Sequence, residues 1–175
     1  MTQPPYADPD DERFSALGQV VERAAVMEIA LRMAFCTLIG GQYAAAVAVD
    51  QETHWLTENC DAVARKREDI PADQRDRIRA ALRACREANR DRNRLVHEAW
   101  GTGPGGTPAV MASIRHSYQI TGRLLRVQEI RAAGDAMLRA QQELLAAFED
   151  AFGSDTLHAV AQLLATEAAE RRGNG

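Results

Sequence analysis

Lysine is nearly absent from this chain: Lys66 is the single one among 175 residues, so arginine carries almost all of the positive charge. GC-rich coding produces the same bias, and arginine identity by itself therefore says little about function. No apolar stretch reaches the roughly 18 residues that a spanning helix needs, and Met1-Thr2-Gln3-Pro4-Pro5 does not open a basic region followed by an apolar run. Membrane insertion and export are not expected, and the expected location is the cytoplasm. Cysteine is scarce and odd in number. Cys36, Cys60 and Cys85 stand far apart, without the paired spacing of a zinc site or a disulfide framework, and each is expected to be a small buried hydrophobe. The glycine-rich stretch from Gly101 to Gly106 lacks the Lys and Ser/Thr of a phosphate-binding P-loop. No internal repeat is visible, and the sequence implies neither a metal nor a cofactor.

What is present suits one domain. The length allows a single compact core, and a hydrophobic content of 46% is ordinary for a globular protein. Residues 1–9 read as a flexible tail, 10–170 as one helical domain and 171–175 as a second tail. The net charge of −4 argues against a general nucleic-acid coat, but its distribution points the other way. Residues 75–97 hold eight arginines against Asp76, Glu87 and Asp91, a local charge of +5 in a chain whose remainder sums to −9. Such a patch can steer a polyanion to one place.

Asp10 or Asp11 is expected to cap a long first helix, on which Leu17, Val20, Val21, Ala24, Met27, Leu31 and Leu38 follow three- and four-residue steps until Gly40-Gly41. Tyr43 to Arg67 reads as a short helix and then a second main helix, closed before Pro71. Asp73 is expected to start the third, with its apolar stripe running to Trp100. Gly101 to Pro108 reads as a loop. Alternation from Val110 to Ile120 predicts a strand, Thr121-Gly122 a turn, and Arg123 to Val127 a second short strand. Helical spacing returns from Gln128 to Gly153, and a last helix from Ser154 through Leu157, Val160, Leu163 and Leu164 fades into Arg171 to Gly175. The expected fold is all-α, an antiparallel four- to five-helix bundle with a small β-hairpin inserted after the third main helix.

The apolar pattern of the third helix breaks near its end. Asn89, Asn93 and His97 are four residues apart and share a face, Arg92 lies beside them, and this face should be the buried one. Burying such groups costs several kcal/mol, roughly, unless each finds partners, so a hydrogen-bonded network, a second subunit or a ligand is implied. The residue types suit phosphodiester cleavage without a metal. An imidazole such as that of His97 can take the proton of a ribose 2′-hydroxyl or protonate the leaving oxygen, and the guanidinium of Arg92 can hold the phosphate as charge builds on it. Asn93 can orient His97 or donate to a phosphate oxygen. One histidine serves one proton transfer well, so two copies facing each other across a dimer would be more capable.

Arg92-Asn93-Arg94-Leu95-Val96-His97, an Arg and a polar residue followed by three residues and a His near the end of a bundle helix, resembles the signature of the HEPN superfamily. The resemblance implies a small all-α homodimer acting as a metal-independent endoribonuclease, in the family often a toxin or defence effector. Arg92 and His97 would be catalytic and Asn93 would assist, with RNA as substrate and an antitoxin or regulatory protein as a further partner. Other members of the family are non-catalytic RNA- or protein-binding modules, which is the alternative reading. Arg79, Arg83, Arg86, Arg90 and Arg94 form a basic stripe that would guide RNA through its phosphates; a solvated, partly ion-paired face explains the stripe equally well. A purely structural account pairs Arg92 with a carboxylate such as Glu28 and lets Asn93 and His97 cap the helix end. His54, His116 and His158 are isolated in sequence and are assigned to packing or surface.

Overall fold

A computed structural model describes residues 9–41, 43–97, 99–102, 108–113 and 120–173, with side chains described for 12–41, 43–96 and 125–172. Among these the fold is an all-α bundle of six helices: α1 (Pro9–Ile39), α2 (Ala44–Ala48), α3 (Thr53–Lys66), α4 (Ala72–His97), α5 (Val127–Phe152) and α6 (Ser154–Gly173). α1 is the axis of the bundle and touches each of the other five helices. Its apolar residues therefore face more than one way: Val20, Met27, Leu31 and Leu38 are fully buried, while Phe14, Val21 and Ile29 remain in solvent. A helix used on several sides in this manner need not be strongly amphipathic. α4 and α5 are more one-sided, with Ile78, Leu82 and Cys85 of α4 and Ile130, Met137, Leu144 and Phe148 of α5 closing on the same core. No helix among the described residues is long and apolar enough to cross a membrane.

The helix ends follow local chemistry. α1 starts at Pro9, so Asp10 and Asp11 sit in its first turn and not at its cap. Asp73 likewise lies in the first turn of α4, where it pairs with Arg77 at 3.3 Å. Gly40, at φ 69°, ends α1 in the left-handed conformation, and its N–H returns to the Cys36 carbonyl at 2.9 Å. Arg67 ties three elements together: it donates to the Leu38 carbonyl, grips both oxygens of Asp69 at 2.7 Å and lies over the Phe152 ring. At the start of α5 the Glu129 carboxylate accepts the Arg126 N–H at 2.8 Å.

Between α4 and α5 the chain departs from the expected pattern. α4 ends at His97, three residues before Trp100, and the backbone forms a three-stranded antiparallel sheet from β1 (Ala99–Thr102), β2 (Pro108–Ser113) and β3 (Ile120–Leu124), in that order. Gly101 and Thr102, expected in a loop, pair with Ala109 and Pro108. Thr121 and Gly122, expected to turn the chain, pair with Ala112 and Met111 inside β3. The expected two-stranded hairpin is corrected in both its bounds and its turn. Trp and Thr suit a strand and Gly101 opposes a helix, which accounts for the early end of α4. The middle of the expected first strand, residues 114–119, and the tail through residue 8 lie outside the described residues. α6 runs to Gly173, two residues beyond the expected fade at Arg171, and Arg171 near its end is anchored to Asp50 and to the Ala46 carbonyl.

Candidate functional site

The polar break in α4 opens into a cavity. Asn89, Arg92 and Asn93 form one wall, Glu28 and Arg32 of α1 a second, and Asp50, Gln51 and Glu52 of the α2–α3 connection with Thr53 and His54 of α3 the third. Its volume is about 390 Å³ and it is open to solvent. Three elements far apart in sequence thus converge because α1 is the common axis. α3 packs on α1 and on α4, and this brings the start of α3 to the last turns of α4.

Within the cavity the charges are partly matched. Glu28 binds Arg32 one turn later and accepts the Thr53 hydroxyl at 3.5 Å. Arg32 also donates through Nε to the Ala48 carbonyl at 3.3 Å, so it locks α1 to α2. Asp50 is held by Arg171 from α6. Glu28, suggested by the sequence as a carboxylate for Arg92, therefore stands in the same cavity and serves Arg32 and Thr53 there. These contacts stiffen two walls around the third. On the α4 wall Arg92 donates from Nη1 to the Asn93 side-chain oxygen at 2.9 Å. The contact leaves the Asn93 amide nitrogen as the available donor, and it braces the guanidinium beside it.

Arg92 and Asn93 are thus brought together with Asn89. His97 closes α4, one turn beyond Asn93, and its side chain lies outside the described residues. The basic stripe divides. Arg79 is committed to Asp61 of α3, Nε to Oδ1 at 2.9 Å, with Asp76 at 3.7 Å. Arg94 stands 3.7 Å from Asp91 in an exposed pair. Arg83 and Arg90 are exposed, and Arg86 is half-buried with its Nε buried and without a hydrogen-bond partner. Arg86 and Arg90 each precede a cavity asparagine, Asn89 and Asn93, by three residues on α4, and neither is among the residues that line the cavity.

His54 is the residue that sequence reasoning missed. It lines the cavity opposite α4, its side chain is 67% exposed, and its Nε2 lies 3.4 Å from Glu58 one turn along α3. Nothing in the run Thr53-His54-Trp55 signals this, since the pairing of α3 with α4 across the cavity is a property of the fold. His158, by contrast, sits on α6 with Gln162 at 2.9 Å, away from the cavity lining, and His116 lies outside the described residues. Comparisons of the chain with protein-family models, with curated proteins and with solved structures gave no match.

Proposed function

We propose that the protein is a HEPN-like, metal-independent endoribonuclease in which Arg92 and His97 act on the scissile phosphate and Asn93 assists. The observation that carries this reading is the cavity itself: the Arg and the polar residue of the motif stand together, hydrogen-bonded, on the wall of an open polar space that Arg32 also lines. A fixed guanidinium next to an amide donor is suited to an anionic, non-bridging phosphate oxygen, and both can stay in place as negative charge grows. Arg86 and Arg90 would meet flanking phosphates. The reading includes a homodimer, RNA as substrate and a regulatory protein such as an antitoxin as partner. A composite site at the dimer interface belongs to the same proposal.

Purified protein incubated in EDTA with labelled single-stranded RNA of randomised sequence is expected to release products ending in a 2′,3′-cyclic phosphate. Arg92→Ala and His97→Ala should each lower the rate by roughly 100-fold or more. DNA of the same sequence should survive, because it lacks the attacking hydroxyl. Wild-type rates in either variant would dismiss the assignment, and saturable RNA binding with no cleavage would favour the non-catalytic module instead.

A further inference from the structure

We infer that His54 is a second proton-transfer group of this site, with Glu58 as the residue that positions it; the inference rests on the ribonuclease reading above. Cleavage through a ribose hydroxyl needs two proton movements. One proton leaves the 2′-oxygen as that oxygen bonds to phosphorus, and another reaches the 5′-oxygen as the bond between it and phosphorus breaks. The Arg92 to His97 motif contains a single imidazole. The fold places another on the opposite wall of the same cavity, from a helix that shares no local sequence with the motif.

Three features make His54 suited to the task. Its side chain is 67% exposed and lines the cavity, so substrate can reach it. It belongs to the first turn of α3, whose start is tied to α1 by the Thr53 to Glu28 contact, so the backbone beneath it is anchored to the α1 wall of the cavity. Glu58 stands 3.4 Å from Nε2. A carboxylate there favours the tautomer with its proton on Nε2 and leaves Nδ1 to accept one.

With two imidazoles the step balances. Nδ1 of His54 takes the proton from the 2′-hydroxyl, the 2′-oxygen forms its bond to phosphorus, and Arg92 and Asn93 hold the non-bridging oxygens. The bond from phosphorus to the 5′-oxygen breaks, and that oxygen takes a proton from the imidazolium assigned to His97. The products are a 2′,3′-cyclic phosphate and a free 5′-hydroxyl; both imidazoles then exchange protons with water to restore the starting state.

The test compares wild type, His54→Gln, Glu58→Gln, Arg92→Ala and His97→Ala as full-length chains in EDTA, measuring cleavage and binding of the randomised RNA separately. Because His54 and Glu58 are exposed, circular dichroism should show all helices retained in both variants. His54→Gln is expected to cut the rate at saturating RNA by about 100-fold or more while binding the RNA as wild type does. Glu58→Gln should give a smaller loss, in kcat and not in KM. If His54→Gln cleaves like wild type while Arg92→Ala and His97→Ala are inactive, the role of His54 is overturned and the ribonuclease reading stands. If His54→Gln loses cleavage only in proportion to lost binding, His54 is an RNA contact and the inference is likewise overturned. If wild type binds RNA and cleaves none, both fall.

Discussion

Asn93 gives its side-chain oxygen to Arg92, and the three cysteines show the opposite strategy, polar atoms that the core leaves almost without partners. Burial pushes the Cys36 thiol up to about 11 from an ordinary 9.0. Cys60 is pushed up to about 12, by burial first and then by the neighbouring Cys36 and Cys85. Cys85 also reaches about 12, again chiefly through burial, although its Sγ lies 3.6 Å from the Ala140 carbonyl. The folded chain therefore keeps these protons at a pH where the unfolded chain has released them. Stability from the thiols is fully present below about pH 9 and is lost as pH rises toward about 12, with a slope of up to about 1.4 kcal/mol per pH unit for each thiol. Urea midpoints measured at about pH 7 and about pH 10 should fall more in wild type than in Cys60→Ala. Equal falls would show that burial of this thiol does not govern the alkaline limb. Cys36, Cys60 and Cys85 are all free and buried, as their isolated spacing suggested.

At the scale of elements, two glycines matter for opposite reasons. Gly153 separates α5 from α6 at φ 81° and ψ 153°, a backbone region that side chains disfavour, although a Cβ there would meet nothing within 4 Å. Gly134 is inside α5 with ordinary helical geometry, but its Cβ would come 3.1 Å from Arg23 Nη1 and 3.5 Å from Val20. Gly153→Ala is expected to cost about 1–3 kcal/mol through strain alone. Gly134→Ala should stay within about 1 kcal/mol of wild type, since the end of the Arg23 side chain can move and alanine favours the helix. Chemical denaturation of both variants checks the contrast; equal losses would contradict it. The sequence was most informative about elements of this kind. Apolar residues at three- and four-residue steps marked the main helices, because each helix buries one side against α1 or its neighbours. The small sheet was misplaced because its strands are short and pairing, not local preference, decides that Thr121-Gly122 extends β3. The polar break at Asn89, Arg92 and Asn93 was visible, since it violates the period of its own helix. The opposite wall was not: Asp50 and His54 reach the cavity only through the packing of α3 and α6, which no spacing within those segments encodes.

For the whole molecule the open question is what covers the N-terminal half of α1. Phe14, Gly18, Val21, Ala25 and Ile29 follow four- and three-residue steps along one side of that helix, and Phe14, Val21 and Ile29 are 61%, 47% and 52% exposed. Val21, Ala25, Glu28 and Arg32 continue the same kind of stepping, so the apolar stripe runs directly into the α1 wall of the cavity. A second copy of the chain is the occupant that the proposed function requires, and a two-fold axis would bring the same stripe onto itself. It would also set the partner next to Glu28 and Arg32, where its residues could complete the site. Val21→Asp combined with Ile29→Asp should then convert a dimer to a monomer in sedimentation equilibrium and lower RNA cleavage with it. The folded monomer should lose little stability, within about 0.5 kcal/mol per position, because both side chains already face solvent. Wild type that sediments as a monomer at concentrations where it cleaves RNA would remove the dimer from the mechanism. His54 and His97 of one chain would then have to suffice.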